Sequence, residues 1–191
     1  MKKLSILLVL TFILLNGLYS QERNTLKEVG IYFANFDAFG IRCKYGNEKR
    51  MFRLTALSIS VGDLKYTSVG SDYNNNTTTN SGAGLNVGLE FPVKMDDNFN
   101  FYYGGELQGK YQHSKQKLSL TNVVVSNYYN VGIGFVMGFS YHLNSNILLS
   151  AEIVPGFYRS TLSSDDTTTK NFGFGLNNNS AGITLSYKFN N

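Results

Sequence analysis

Along most of the chain, apolar side chains recur at every second position, with small or polar residues between them. At the C-terminus Ala181, Ile183, Leu185, Tyr187 and Phe189 share one parity, and Gly182, Thr184, Ser186 and Lys188 the other. A strand's side-chain period of two sends these sets to opposite faces. The pattern is cleanest over residues 129–143, where Tyr129, Val131, Ile133, Phe135, Met137, Phe139, Tyr141 and Leu143 alternate with Asn130, Gly132, Gly134, Val136, Gly138, Ser140 and His142. Six more segments alternate: 29–33, 39–45, 52–61, 85–93, 99–111 and 149–157. In the third of all eight segments Phe52, Leu54 and Ala56 give way to Leu57, Ile59 and Val61 on the opposite parity, a phase slip that a bulge would explain.

The connections alternate as well. Those near 46–50, 94–98 and 144–146 are short, and those near 67–81, 113–127 and 160–178 are long and polar. Short turns at one end and long loops at the other are the rhythm of bacterial outer-membrane barrels, and an even strand count returns both termini to one side. The connection around Asn35 to Ala38 is too short for this scheme, which leaves the strand count at the N-terminal end open.

Ahead of the strands, Lys2 and Lys3 precede an apolar run from Leu4 to Leu15, and Leu18-Tyr19-Ser20 ends it. That is the three-part design of a secretory signal peptide. A run of about a dozen residues is short of the roughly 20 that a spanning helix needs. Cleavage is expected between Ser20 and Gln21, so residues 1–20 are read as leader, 21–27 as a short tail and 28–191 as one barrel domain. No cysteine opens the mature chain, so lipidation there is not expected.

Composition narrows the classes further. Without Lys2 and Lys3, 15 basic residues stand against 13 acidic ones, which gives no reason to expect nucleic acid as a partner. The single Cys43 allows no internal disulfide. Abundant Gly, Asn, Ser, Thr, Tyr and Phe are strand and loop material, with little to build amphipathic helices.

Which solvent meets the apolar face decides between a soluble sandwich and a membrane barrel. The polar faces carry Arg42, Lys44, Arg53, Glu90, Glu106, Lys110, Glu152 and Lys188 among repeated glycines such as Gly88, Gly104, Gly134 and Gly138. Glycine on a solvated strand packs nothing and costs entropy. Inside a narrow barrel it makes room for larger neighbours, and eight strands leave an interior just wide enough for side chains to fill. Aromatics gather at the ends of the apolar face: Phe99, Phe101, Tyr141, Tyr187 and Phe189 near the turns, and Tyr111, Tyr129 and Phe157 near the loops. These match two interfacial girdles. The fold expected is an all-β, eight-stranded antiparallel up-and-down transmembrane β-barrel. The inward charges are expected to pair, since buried charges need partners. A salt-bridged, closed lumen is the first reading, and a narrow pore for small solutes using the same groups is the second.

The chain from about residue 28 to 190 resembles the small outer-membrane β-barrels of the OmpA transmembrane-domain and OmpX type. The most specific part of the resemblance is a C-terminal assembly signal, which Ser180, Gly182, Leu185 and Tyr187 fit, with Phe189 adding a further aromatic. Asn190-Asn191 follow where many members end on the aromatic. The resemblance implies an integral protein of a Gram-negative-type outer membrane. Lipid and lipopolysaccharide would surround it, and barrel-assembly machinery would act during biogenesis. The family includes anchors, adhesins, narrow pores and a few lipid-modifying enzymes, so fold does not name function.

Catalysis is not expected. Ser140, His142 and Glu152 share the inward parity, but pairing His142 with Leu148 sets Glu152 about 13 Å along from His142, beyond hydrogen-bond reach. Family enzymes that deacylate lipid A use a His-x-Ser order facing lipid, whereas Ser140-Tyr-His142 is reversed and faces inward. No cofactor or metal is expected: Asp165-Asp166 is too short a cluster for calcium, and no helix pattern follows Gly132-Ile-Gly134 or Gly173-Phe-Gly175. His113-Ser-Lys115-Gln-Lys117 reads as a solvated loop face that could also touch lipopolysaccharide phosphate, and the Asn74–Asn80 run as a polar loop. Cys43 reads as a small lipid-facing residue. The role expected is non-catalytic, structural or in surface interaction. Mass spectrometry of the exported protein should find a chain beginning at Gln21; a mass that retains residues 1–20 would mean an uncleaved anchor.

Overall fold

The computed structural model describes residues 26–35, 38–67, 75–117, 123–164, 167–176 and 180–189. The leader, the Asp165-Asp166 pair and the terminal Asn190-Asn191 lie outside the described residues. Ten strands follow in chain order: β1 (Leu26–Asn35), β2 (Ala38–Asn47), β3 (Arg50–Thr67), β4 (Asn75–Lys94), β5 (Phe99–Lys117), β6 (Val123–His142), β7 (Ile147–Ile153), β8 (Gly156–Ser164), β9 (Thr167–Gly175) and β10 (Ala181–Phe189). All pairings are antiparallel. Neighbours pair in sequence from β1 to β7, β7 pairs β10, and β10 returns to β1. The ring therefore closes on eight strands.

Ten strands make eight staves because two staves are interrupted. β7 and β8 keep one register against β6: Met137 faces Ile153 and Gly134 faces Gly156. Only Val154 and Pro155 drop out between them. Pro155 has no N–H to give, but its carbonyl accepts from Phe135 N at 2.8 Å, so the stave is broken without being displaced. The β9–β10 stave is displaced. Gly156 faces Gly175 while Ile153 faces Ala181, so β9 and β10 do not share one register; Gly175 has a φ of 135°, which favours glycine.

Stagger sets the width. Following the paired residues from Phe139 through Ala151, Ile183, Phe33, Phe39, Ser58, Ala83 and Tyr111 leads back to β6 at Tyr129, ten residues from the start. Eight strands with that offset tilt by about 40° and give a backbone radius of about 8 Å. The inside must then be filled by side chains, and polarity is inverted accordingly. Arg42, Lys44, Arg53, Glu90, Glu106 and Glu152 are buried, whereas Ile31, Ile41, Leu107, Val131, Ile133 and Leu185 are exposed on the outside. A continuous apolar belt around a charged interior suits hydrocarbon as the outer solvent, and closure leaves no unpaired edge within it.

Several sequence expectations meet the structure here. The short Asn35–Ala38 connection is real: Asn35 pairs with Ala38, and both N-terminal strands stand. At 10 residues each, β1 and β2 are just long enough to span a bilayer at this tilt. β3 to β6 have 18, 20, 19 and 20 residues, about twice that need. The long polar connections are therefore largely strand. Asn75–Asn80 belongs to β4 and His113–Lys117 to β5, paired with each other and with β6. Loop-like composition misled because a hydrogen-bond ladder continues in water after its side chains turn polar. The phase slip is also corrected. Register is unbroken past Leu57, which is buried on the inward parity of Arg53 and Thr55, and the shift falls later, between Ile59 and Gly62.

Two of the short turns are ordered by asparagine. Asn47 Oδ1 accepts from the N–H groups of Lys49 and Arg50, and Asn144 Oδ1 from those of Asn146 and Ile147. On the inner face, glycine lies beneath each buried tyrosine ring: Gly138 under Tyr102 and Gly182 under Tyr32. A methyl group at Gly138 would meet the Tyr102 ring and stand 2.7 Å from the Ala151 carbonyl oxygen. Gly138→Ala should therefore destabilise the folded barrel by about 1–3 kcal/mol through overpacking, read as a lower urea midpoint in vesicles. Wild-type stability in that variant would mean that the lumen can repack.

Candidate functional site: the charged lumen

The most elaborate chemistry among the described residues lies in the lumen. Arg53 on β3 is its centre. Nη2 donates to Glu152 Oε1 at 2.8 Å, Nη1 to Glu90 Oε2 at 3.3 Å, and Nε lies 3.2 Å from Glu106 Oε2 in ion-pair range without hydrogen-bond alignment. Arg42 on β2 approaches from the side: Nη2 to Glu152 Oε1 at 2.7 Å, Nε to Thr55 and Nη1 to Thr184, both at 2.9 Å. Lys44 Nζ donates to Glu90 Oε1 at 2.6 Å. Three cations and three carboxylates thus neutralise one another with nearly all side-chain surface buried.

Neutral groups complete the shell. Tyr102 donates to Glu152 Oε2 at 3.0 Å, and Asn86 and Gln108 donate to Glu106 Oε1 at 3.2 and 2.9 Å. The Arg42 guanidinium lies 4.0 Å from the Tyr32 ring centre, and Lys44 Nζ 4.6 Å from that of Tyr102, both cation–π contacts. Every stave contributes a polar side chain to this shell except the one built on β6, which supplies Gly134 and Gly138 as space. Strand parity did mark the tyrosines: Tyr32 and Tyr102 share the inward phase of the charges, and a large aromatic there, with glycine on a neighbouring strand, was the available signal.

Six of the eight charges expected inside meet in this network. Lys110 lies nearer the outer end, half-buried between Gly84 and Asn130, and Lys188 near the turns opposite Glu28, a buried acid that parity alone would have added. At the turn end a cavity of about 330 Å³ is lined by Glu28, Lys44, Glu90, Tyr102, His142 and Lys188 among others. His142 faces Leu148 and Gly138 faces Glu152, the register expected from sequence. Glu152 is held by Arg42, Arg53 and Tyr102, so Ser140, His142 and Glu152 form no triad. Among the described residues no group of three or more His, Cys, Asp or Glu is arranged to hold a metal ion.

The residues of the terminal signal divide by face. Ser180 is buried, and its carbonyl accepts from Val154 N; Gly182 backs Tyr32; Leu185, Tyr187 and Phe189 point outward. Cys43 is exposed on the same outer surface. Aromatic contacts mark both ends of the belt, with Phe99 and Phe101 against Phe139 at the turn end, and Tyr111 against Tyr129 and Phe157 against Phe174 at the other.

No protein-family model matches the chain, and no curated protein sequence matches it. Solved structures do. The chain is similar to a major outer membrane protein from Thermus thermophilus, with TM-score 0.51 and 10% identity, covering 87% of this chain and 98% of that one. The fold is that of a small outer-membrane β-barrel. Neisserial surface protein A (TM-score 0.40, 14% identity, 86% and 92% covered) and the N-terminal barrel domain of Pseudomonas aeruginosa OprF (0.40, 12%, 88% and 98%) also match.

This barrel's network has one centre, Arg53, that meets all three carboxylates. Arg53→Met leaves buried Glu106 without its cation, while Glu152 keeps Arg42 and Glu90 keeps Lys44, and breaking a buried pair from one side costs about 3–5 kcal/mol. The variant should show a correspondingly lower urea midpoint of unfolding in vesicles, and an unchanged midpoint would refute the central role of Arg53.

Proposed function

We propose that the protein is an integral outer-membrane barrel with a non-catalytic role, structural or in surface interaction, and that its lumen does not conduct. The observation that carries the closed lumen is Arg53, which with Arg42 ties β2 and β3 to carboxylates on β4, β5 and β7 across the interior. An interior of about 8 Å radius to the backbone, crossed by two arginines and backed by two tyrosines, supports a lumen filled by side chains. The absence of an assembled nucleophile, base and acid among the described residues supports the non-catalytic reading. The exposed apolar belt supports residence in lipid, and the terminal strand's Ser180, Gly182, Leu185, Tyr187 and Phe189 support delivery by barrel-assembly machinery.

A narrow solute pore is the second reading, favoured by the turn-end cavity that reaches Lys44 and Glu90. Planar-bilayer recording separates the two. Refolded wild-type protein should give no steady openings, and the double variant Arg53→Ala/Glu152→Ala should give them. Reproducible unitary currents from the wild type would overturn the closed lumen in favour of the pore.

A further inference from the structure

The cavity of about 330 Å³ at the turn end is lined by all eight staves, so it lies on the barrel axis. Lys44, Glu90 and Tyr102 line its inner end, where they join the arginine network. Its rim carries exposed Glu48, Lys94 and Asp97. That volume is at the small end of ligand pockets, which run from about 300 to 1,000 Å³. The lining is mixed: Met51 and Leu148 are buried and apolar, and Ser140 and His142 enter from β6. His142 Nδ1 is sealed from solvent and has no hydrogen-bond partner.

Charge is arranged unevenly around this wall. Glu28 pairs in register with Lys188 on β10 and with Lys44 on β2, so the three stand in one row on the inner face. Lys44 is engaged by Glu90 at 2.6 Å, and Lys94 at the rim by Asp97 at 2.9 Å. Glu28 is only 7% exposed, yet among the described residues it comes within ion-pair distance of neither lysine. Directly opposed residues have Cβ atoms about 4.5–5.5 Å apart. A buried carboxylate and a half-buried ammonium therefore flank one short gap on the pocket wall.

We propose that this pocket binds a small zwitterion, an aminocarboxylate with an apolar body. Its ammonium sits on Glu28, its carboxylate on Lys188, and its body among Met51 and Leu148. A purely cationic ligand would meet Lys44 and Lys188, and a purely anionic one Glu28 and Glu90. A ligand that carries both charges complements the row, and it gives buried Glu28 the partner that a desolvated charge needs. On the outer-membrane reading the short turns face the periplasm, so the solute is a periplasmic one. The site goes beyond the structural role proposed above, and it requires no conduction through the lumen.

The test uses the full mature chain, refolded in detergent and titrated by isothermal calorimetry against blanks of empty micelles. Three probes share one apolar body: L-phenylalanine carries both charges, phenethylamine only the cation and 3-phenylpropionate only the anion. Phenylalanine should bind about tenfold or more tightly than either of the others. Glu28→Gln should erase its advantage over 3-phenylpropionate, and Lys188→Gln its advantage over phenethylamine. Lys49→Gln, on the exposed turn outside the pocket, should change nothing. Equal binding of the three probes, no saturable binding of phenylalanine, or an unchanged preference in either charge variant overturns the site. The comparison of probes is made on the wild type, so it stands even where a variant fails to refold. Planar-bilayer currents are read separately. A conducting wild type that binds phenylalanine keeps the site and loses the closed lumen, and a silent one that does not bind keeps the closed lumen and loses the site.

Discussion

The whole structure depends on the need to fill a narrow, staggered ring with groups that satisfy one another. Eight strands offset by ten residues around the ring leave an interior about wide enough for side chains to fill. Arg53 resolves this by meeting three carboxylates from three other strands. Its partners are far apart in sequence: Glu152 is 99 residues away, and Arg42 reaches Thr184 across 142. Desolvating six charges is expensive, and well-packed apolar residues could serve stability as well. What an apolar filling would lack is register. A one-residue slip in any stave exchanges its two faces, which here would drive Arg53 or Glu152 into lipid.

The network also dictates where backbone must be bare. Tyr32 and Tyr102 lie beside Arg42 and Lys44, and rings of that size fit within the barrel only above Gly182 and Gly138. Gly134, Gly138 and Gly182 are thus the counterpart of the charges, each vacancy set by a neighbour's bulk. β6 shows this most clearly, giving Gly134 and Gly138 to the lumen while its outward face is aromatic or aliphatic from Tyr129 to Tyr141. Closure by β10 against β1 joins the ends of the chain, so these long-range contacts complete last in any sequential assembly from the N-terminal hairpins.

Much of this was legible from parity. Alternation located the staves, the inward phase collected the six charges of the network, and a turn as short as Asn144–Asn146 fixed the register that separates His142 from Glu152. Parity was less reliable where the environment changed. Leu57 is apolar and points inward, because Gly84 opposite it leaves room, so reading its hydrophobicity as outward produced a spurious slip. Tyr32 and Tyr102 show the converse: they are aromatic, yet their inward parity agrees with the cations against their rings. The interruption at Val154–Pro155 has only proline as its signal, and the true strand ends have none, since Thr, Asn and Ser pair as well beyond the membrane as apolar residues do within it.

That last point separates the molecule into two tiers with different rules. Within lipid the ring must close, and it does, on staves that include the 10-residue β1 and β2. Above lipid no such demand applies, and the sheet opens: among the described residues β9 pairs only with β8, and the outer end of β3 only with β4. The two tiers also differ in how far sequence can vary. Within the ring each inward side chain answers to another strand, as Arg53 does to Glu90, Glu106 and Glu152. Outward side chains of the open sheet carry no such obligation, so surface chemistry there can change without disturbing the lumen.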